Sequence, residues 1–199
     1  MLIIPILDGY SASITDTNMY DVVTQILLDY GKDTKHEVCY ERSKIFDRKG
    51  NEKILRFIFE HESEDNTLLC VAKSLGAKRM INNVLNRLAL RKNSLNYKRV
   101  YCFTIDPNWP LWYDLTPNLN NRKLTIKYPV DNFINVYVHG KRHQQCGAKV
   151  LSKYIPKNQA LIVHNVPVYK YDHYSIVGSP NVRERLGVMI RKVVKDGYI

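Results

Sequence analysis

The sequence predicts an α+β fold, with a mixed or mainly antiparallel sheet of about 6-7 strands packed with about 3-4 helices. Three observations lead there. Strand-like runs outnumber helical ones, the two kinds are interspersed along the chain, and one pair of alternating runs is joined by a glycine-containing turn that reads as a hairpin. No internal repeat and no Gly/Ser linker divides the 199 residues, so a single compact domain, 1-199, is expected, with an aromatic, proline-rich loop at 107-121.

Taken in order, Leu2 to Leu7 is an apolar run that reads as a short buried strand, broken by Asp8 and Gly9. Asp16 or Thr17 caps a helix over residues 18–30, with Val22, Val23, Ile26 and Leu27 as its apolar stripe and Gly31 at its C-terminus. Glu37 to Phe46 and Lys53 to Glu60 alternate and form the expected hairpin, with Gly50 supplying a positive φ. Thr67 opens a helical stretch to Leu90, because Leu68, Val71, Ala72, Leu75, Met80, Ile81, Val84, Leu85 and Leu88 recur at three and four. Gly76 bends or splits it.

Arg99 to Asp106 is a strand ended by Asp106-Pro107, and three prolines keep the next segment, with Trp109, Trp112 and Tyr113, out of any ladder. Lys123 to Tyr128 and Phe133 to His139 read as strands, Gln144 to Tyr154 as a helix, and Ala160 to Val168 and Tyr171 to Val177 as strands. Ser179 and Pro180 then start a helix that keeps apolar spacing through Val182, Leu186, Met189, Ile190 and Val193.

The four cysteines, 39, 70, 102 and 146, contain no CxxC pair and read as reduced thiols, which points to an intracellular, soluble protein. The apolar start is too short for a signal peptide, and no run of 18 apolar residues follows, so no membrane insertion is expected. Fourteen tyrosines and seventeen asparagines fit an A/T-rich coding genome and a source such as a virus or mobile element, with the host cytoplasm or nucleus as the compartment.

Charge is regional. Lys73 to Lys157 holds 16 basic and three acidic residues, net +13, whereas residues 1–72 carry net −5. Such a field suits a phosphate-rich partner, DNA or RNA, since neutralised phosphates release counterions. The residues expected to touch it are Lys78, Arg79, Arg87, Arg91, Lys92, Arg122, Lys123, Lys141 and Arg142, with Trp109 stacking on unpaired bases.

Two metal readings accompany this. Asp106, Asp114 and Asp131, the acids of the basic section, would hold Mg²⁺ if they converged, making a metal-dependent nuclease the alternative to passive binding. His139, His143 and Cys146, joined by His164 or His173, have zinc-ligand chemistry. Ser11, Ser13, Ser175 and Ser179 lack a G-x-S-x-G context, and no phosphate-binding glycine motif is present. A third class is a viral assembly or protein-interaction factor, for which a homo-oligomer is one form.

Tyr137-Val138-His139-Gly140 resembles the strand-borne His-Gly segment of ADP-ribosyltransferases over those four residues. The resemblance implies a nicotinamide cofactor held by His139, with Tyr169 or Tyr171 and Glu184 as the later tyrosine and acid.

Overall fold

Among the described residues every hydrogen-bonded strand pair runs parallel, and six strands form one sheet in the order His36–Arg42, Leu2–Asp8, Thr67–Lys73, Arg99–Ile105, Asn132–Val138 and Val163–Val168. This computed structural model describes residues 1–9, 18–30, 34–44, 49–90, 95–107, 123–138, 149–152, 163–173 and 175–196. The strands are β1 (Leu2–Asp8), β2 (His36–Arg42), β3 (Thr67–Lys73), β4 (Arg99–Ile105), β5 (Lys123–Ile126), β6 (Asn132–Val138), β7 (Lys149–Ser152) and β8 (Val163–Val168). The helices are α1 (Met19–Tyr30), α2 (Lys49–Glu60), α3 (Ser74–Arg79), α4 (Asn86–Leu88) and α5 (Pro180–Asp196). A π-helical stretch, Met80–Leu85, joins α3 to α4 without a break, and a 3₁₀ turn, Ser175–Gly178, precedes α5.

The fold is therefore α/β, which corrects the expected α+β class with its mixed or mainly antiparallel sheet. Two local misreadings produced that expectation. The second half of the expected hairpin is α2, whose buried residues Ile54, Leu55 and Ile58 have helical spacing, and Gly50 sits in its first turn without a positive φ. The expected helix from Thr67 begins instead as β3, whose seven residues are all buried. A strand covered on both faces shows no alternation, so its apolar run satisfies a helical template equally well. Further along, residues 149–152 are strand rather than helix, and none of the described residues of the expected strand at 171–177 is strand: a turn there leads into the 3₁₀ segment.

Parallel strands need crossovers, and the right-handed sense of crossovers decides where the helices lie. One face of the sheet packs α1 and α5, burying Ile4, Ile6, Val71, Phe103 and Val136 against Val23, Ile26, Leu186 and Ile190. The other packs α2 and the α3–α4 helix, burying Ile3, Leu7, Cys70 and Cys102 against Ile54, Ile58, Met80 and Val84. The small parallel pair β5–β7 contributes Leu124, Ile126 and Val150 to this second face. Pro5 sits in a central strand, and the β1–β3 register passes over Ile4 and Pro5, so its missing N–H falls in a gap.

The chain enters the sheet at β1, turns one way to β2 and then returns past β1 to β3. The helices that follow β1 and β3, α1 and α3, consequently lie on opposite faces, and the carboxyl ends of those strands form the switch point of the sheet. Among the described residues, no helix is long and apolar enough to cross a membrane.

Candidate active site

At that switch point the chain turns from β3 into α3 within one residue. Lys73 is extended (φ −125°, ψ 145°), and Ser74 takes φ 56°, one of two positive values among non-glycine residues described. Left-handed backbone costs a side-chain-bearing residue about 1–2 kcal/mol, so this turn is held by its surroundings rather than by preference. Gly76 is part of what holds it. A β-carbon there would lie 2.0 Å from the Leu7 carbonyl oxygen, so the helix can cross β1 this closely only without a side chain. Gly9, just past the end of β1, is constrained less tightly, by Ser74 itself.

The hydroxyl placed by this turn has a partner far along the chain. Ser74 Oγ lies 2.7 Å from His173 Nε2, and His173 Nδ1 lies 2.5 Å from Asp106 Oδ2. Asp106 follows β4, the strand beside β3, and is fully buried with φ 44°, a conformation Asp tolerates better than most residues. Its second oxygen, Oδ1, accepts the backbone N–H of Val138 at 2.8 Å, and its own N–H donates to Val136 at 2.7 Å, locking the carboxylate between β4 and β6.

His173 is presented by a tight turn after β8. Asp172 Oδ1 accepts both the backbone N–H and the hydroxyl of Ser175, each at 2.7 Å, and the Asp172 carbonyl accepts Ile176 N–H. A buried carboxylate at Nδ1 draws the imidazole proton to that nitrogen and leaves the Nε2 lone pair for the Ser74 O–H. The three residues thus form one directed relay, hydroxyl to imidazole to carboxylate.

Asp8 ends β1 on the other side of Ser74 and has a structural task. Its Oδ1 accepts Gly9 N–H at 2.8 Å, and its Oδ2 accepts Met19 N–H at 3.0 Å at the start of α1. The Tyr40 hydroxyl donates to the same Oδ2 at 3.4 Å while accepting from Arg42 Nε at 2.8 Å.

The residues singled out from sequence are scattered by comparison. Asp106 and Asp131 stand at opposite ends of β4, since Asp131 accepts Val100 N–H at 2.7 Å and pairs with Arg99 at 3.0 Å. They do not share a metal. Arg87 pairs with Glu52 at 2.6 Å on the far part of the α3–α4 helix, and Lys78 and Arg79 lie half-buried along α3. Lys123 opens β5. Arg91, Lys92, Trp109, Asp114, Arg122, His139, Lys141, Arg142, His143 and Cys146 lie outside the described residues. Among those described, no three His, Cys, Asp or Glu side chains cluster as a metal site; His173 is committed to Ser74 and Asp106, and Glu184 is exposed on α5. An open groove of about 710 Å³ between α2 and α4 is lined by none of the three relay residues.

Ser74 was missed from sequence, although a signal was present. Ala72-Lys73-Ser74-Leu75-Gly76 keeps the serine and second glycine of the nucleophile turn and places alanine at the first. Reading residues 67–90 as one helix hid the strand-to-helix junction that gives the pattern meaning. Comparison of the chain with protein families, curated proteins and solved structures finds no match.

Proposed function

We propose that the protein is a serine hydrolase acting on an ester or related acyl bond, with Ser74 as nucleophile, His173 as general base and acid, and Asp106 as the carboxylate that orients it. The observation carrying this reading is the Ser74–His173–Asp106 relay with its serine on a positive-φ strand-to-helix turn. The order Ser, Asp, His along the chain, on the carboxyl ends of a parallel sheet, is the order found in α/β-hydrolase architectures. That likeness is one of arrangement, and the chemistry rests on the three residues.

In the first half-reaction, Ser74 Oγ bonds to the acyl carbon while its proton passes to His173 Nε2. Asp106 stabilises the imidazolium that results. The oxyanion needs preorganised donors. Leu75 N–H, in the first helical turn where backbone donors have no helical acceptor, is the one adjacent to the nucleophile. Collapse breaks the bond to the leaving alcohol, which takes the proton from His173. Water then gives a proton to His173 and attacks the acyl carbon. Ser74 leaves with that proton, and the acid product departs.

A fluorophosphonate probe tests this directly. It is expected to label the protein once, on Ser74, and Ser74→Ala is expected to abolish both labelling and hydrolysis of p-nitrophenyl esters. Absence of labelling and of ester turnover in the folded protein would sink the reading.

The net +13 of Lys73 to Lys157 supports a second reading, in which the same protein binds a polyanion such as nucleic acid. Affinity for DNA or RNA that falls steeply with salt supports it, and no binding at low salt removes it.

A further inference from the structure

Lys73, the residue before Ser74, is only 5% exposed, although lysine is among the residues least often buried. It closes a central strand, with β1 on one side and β4 on the other, and is in register with Ile105. Side chains paired in a parallel ladder share a face, so Lys73 lies on the α1/α5 side with Ile105 and Val71.

A buried ammonium normally has a carboxylate or several acceptors. Among the described residues, none makes an ion pair or side-chain hydrogen bond with the Lys73 ammonium. Asp8, its neighbour across the sheet, directs its carboxylate to Gly9, Met19 and Tyr40 instead. The ammonium is also not one of the fully buried polar atoms without a partner, so its tip meets solvent while its stem is covered. Lys73 stands at the carboxyl end of a central strand, beside Gly9 and Ser74.

We infer that Lys73 sets the substrate class, selecting acyl substrates that carry an anionic group, carboxylate or phosphate, a few atoms from the scissile carbonyl. This rests on the hydrolase reading. Successive Cα atoms are about 3.8 Å apart, so the cation acts within a side chain's length of the nucleophile. The ligand's charge would supply the partner that the protein withholds.

The test compares p-nitrophenyl butyrate with mono-p-nitrophenyl succinate, matched in acyl length and different in charge. The wild type is expected to favour the succinate in kcat/KM, and Lys73→Met to lower the succinate-to-butyrate ratio by about tenfold or more, with Lys73→Arg restoring part of it. Free succinate and inorganic phosphate, tried as competitive inhibitors, distinguish the two anions. Fluorophosphonate labelling of each variant reports whether the relay is intact. Labelling with an unchanged ratio overturns the role of Lys73 alone, whereas loss of labelling and turnover in the wild type overturns the hydrolase reading together with it.

Discussion

Gly9 and Ser74 close the ends of β1 and β3 so tightly that a β-carbon on Gly9 would lie 2.6 Å from the Ser74 β-carbon and 3.1 Å from its hydroxyl. No side chain fits between them unless Ser74 moves. Gly9→Ala is therefore expected to act on catalysis first, lowering kcat/KM by about 100-fold through displacement of Ser74 by a fraction of an ångström to an ångström. Ester kinetics together with urea unfolding check this, and an alanine variant with wild-type kcat/KM would show that Ser74 tolerates a β-carbon at residue 9.

Gly76→Ala meets backbone instead. Its β-carbon would stand 2.0 Å from the Leu7 oxygen and 2.7 Å from the Asp8 oxygen, atoms that cannot rotate aside. The helix must lift from β1, and overpacking of this kind costs about 1–3 kcal/mol. A fall in unfolding free energy that exceeds the fall for Gly9→Ala is the expected order.

The strain at Ser74 gives a third expectation. Ser74→Ala and Ser74→Gly both remove the hydroxyl and both end turnover, but only glycine relaxes at φ 56°. Ser74→Gly should be the more stable of the two, by up to about 1 kcal/mol after its greater unfolded-state entropy is allowed for. Thermal melts decide it; the reverse order would mean that the turn stores no strain.

Much of this arrangement could be read from sequence where one element had clear boundaries. β1, α1, β4 and α5 lie where turns, caps and apolar spacing put them. β3 did not, because Leu68, Val71, Ala72 and Leu75 fit helical spacing while the intervening Leu69 and Cys70 are equally buried. Losing β3 lost the parallel order, since this strand lies between β1 and β4 and separates the first two connections. Asp106 was selected as an acid at a strand end that would meet other carboxylates, and in the structure it meets a histidine instead. Its partner lies 67 positions away, on a turn whose geometry comes from Asp172 and Ser175, and no local spacing encodes that meeting.

Asp106→Asn separates charge from shape. The asparagine oxygen can still accept Val138 N–H, so the ends of β4 and β6 stay tied. Its amide would then face His173 Nδ1 and, as a donor, require a lone pair there, moving the imidazole proton to Nε2 where it confronts the Ser74 hydroxyl. A loss of kcat on the order of 10³–10⁴ is expected with little change in KM. Asp106→Ala should add instability of about 1–3 kcal/mol, from the buried Val138 N–H left without its acceptor.

Two buried thiols are expected to make folding depend on pH on the alkaline side. Cys70 is fully buried on β3 and desolvation pushes its thiol up to about 12, while Cys102, in register beside it on β4, is raised by desolvation and then by Cys70. A thiol raised in the folded state favours folding fully below its unfolded value of 9.0, and that contribution is lost as pH climbs toward the folded value. Above pH 9 the unfolded chain sheds these protons and the native state keeps them, so unfolding becomes progressively easier between pH 9 and 12. Each pH unit is worth about 1.4 kcal/mol per thiol at most. Urea midpoints should thus fall steadily across that window, and Cys70→Val, close in volume and without a proton to lose, should flatten the fall. An equal slope in the variant would assign the alkaline instability to other groups, Tyr97 among them, since burial raises its phenol as well.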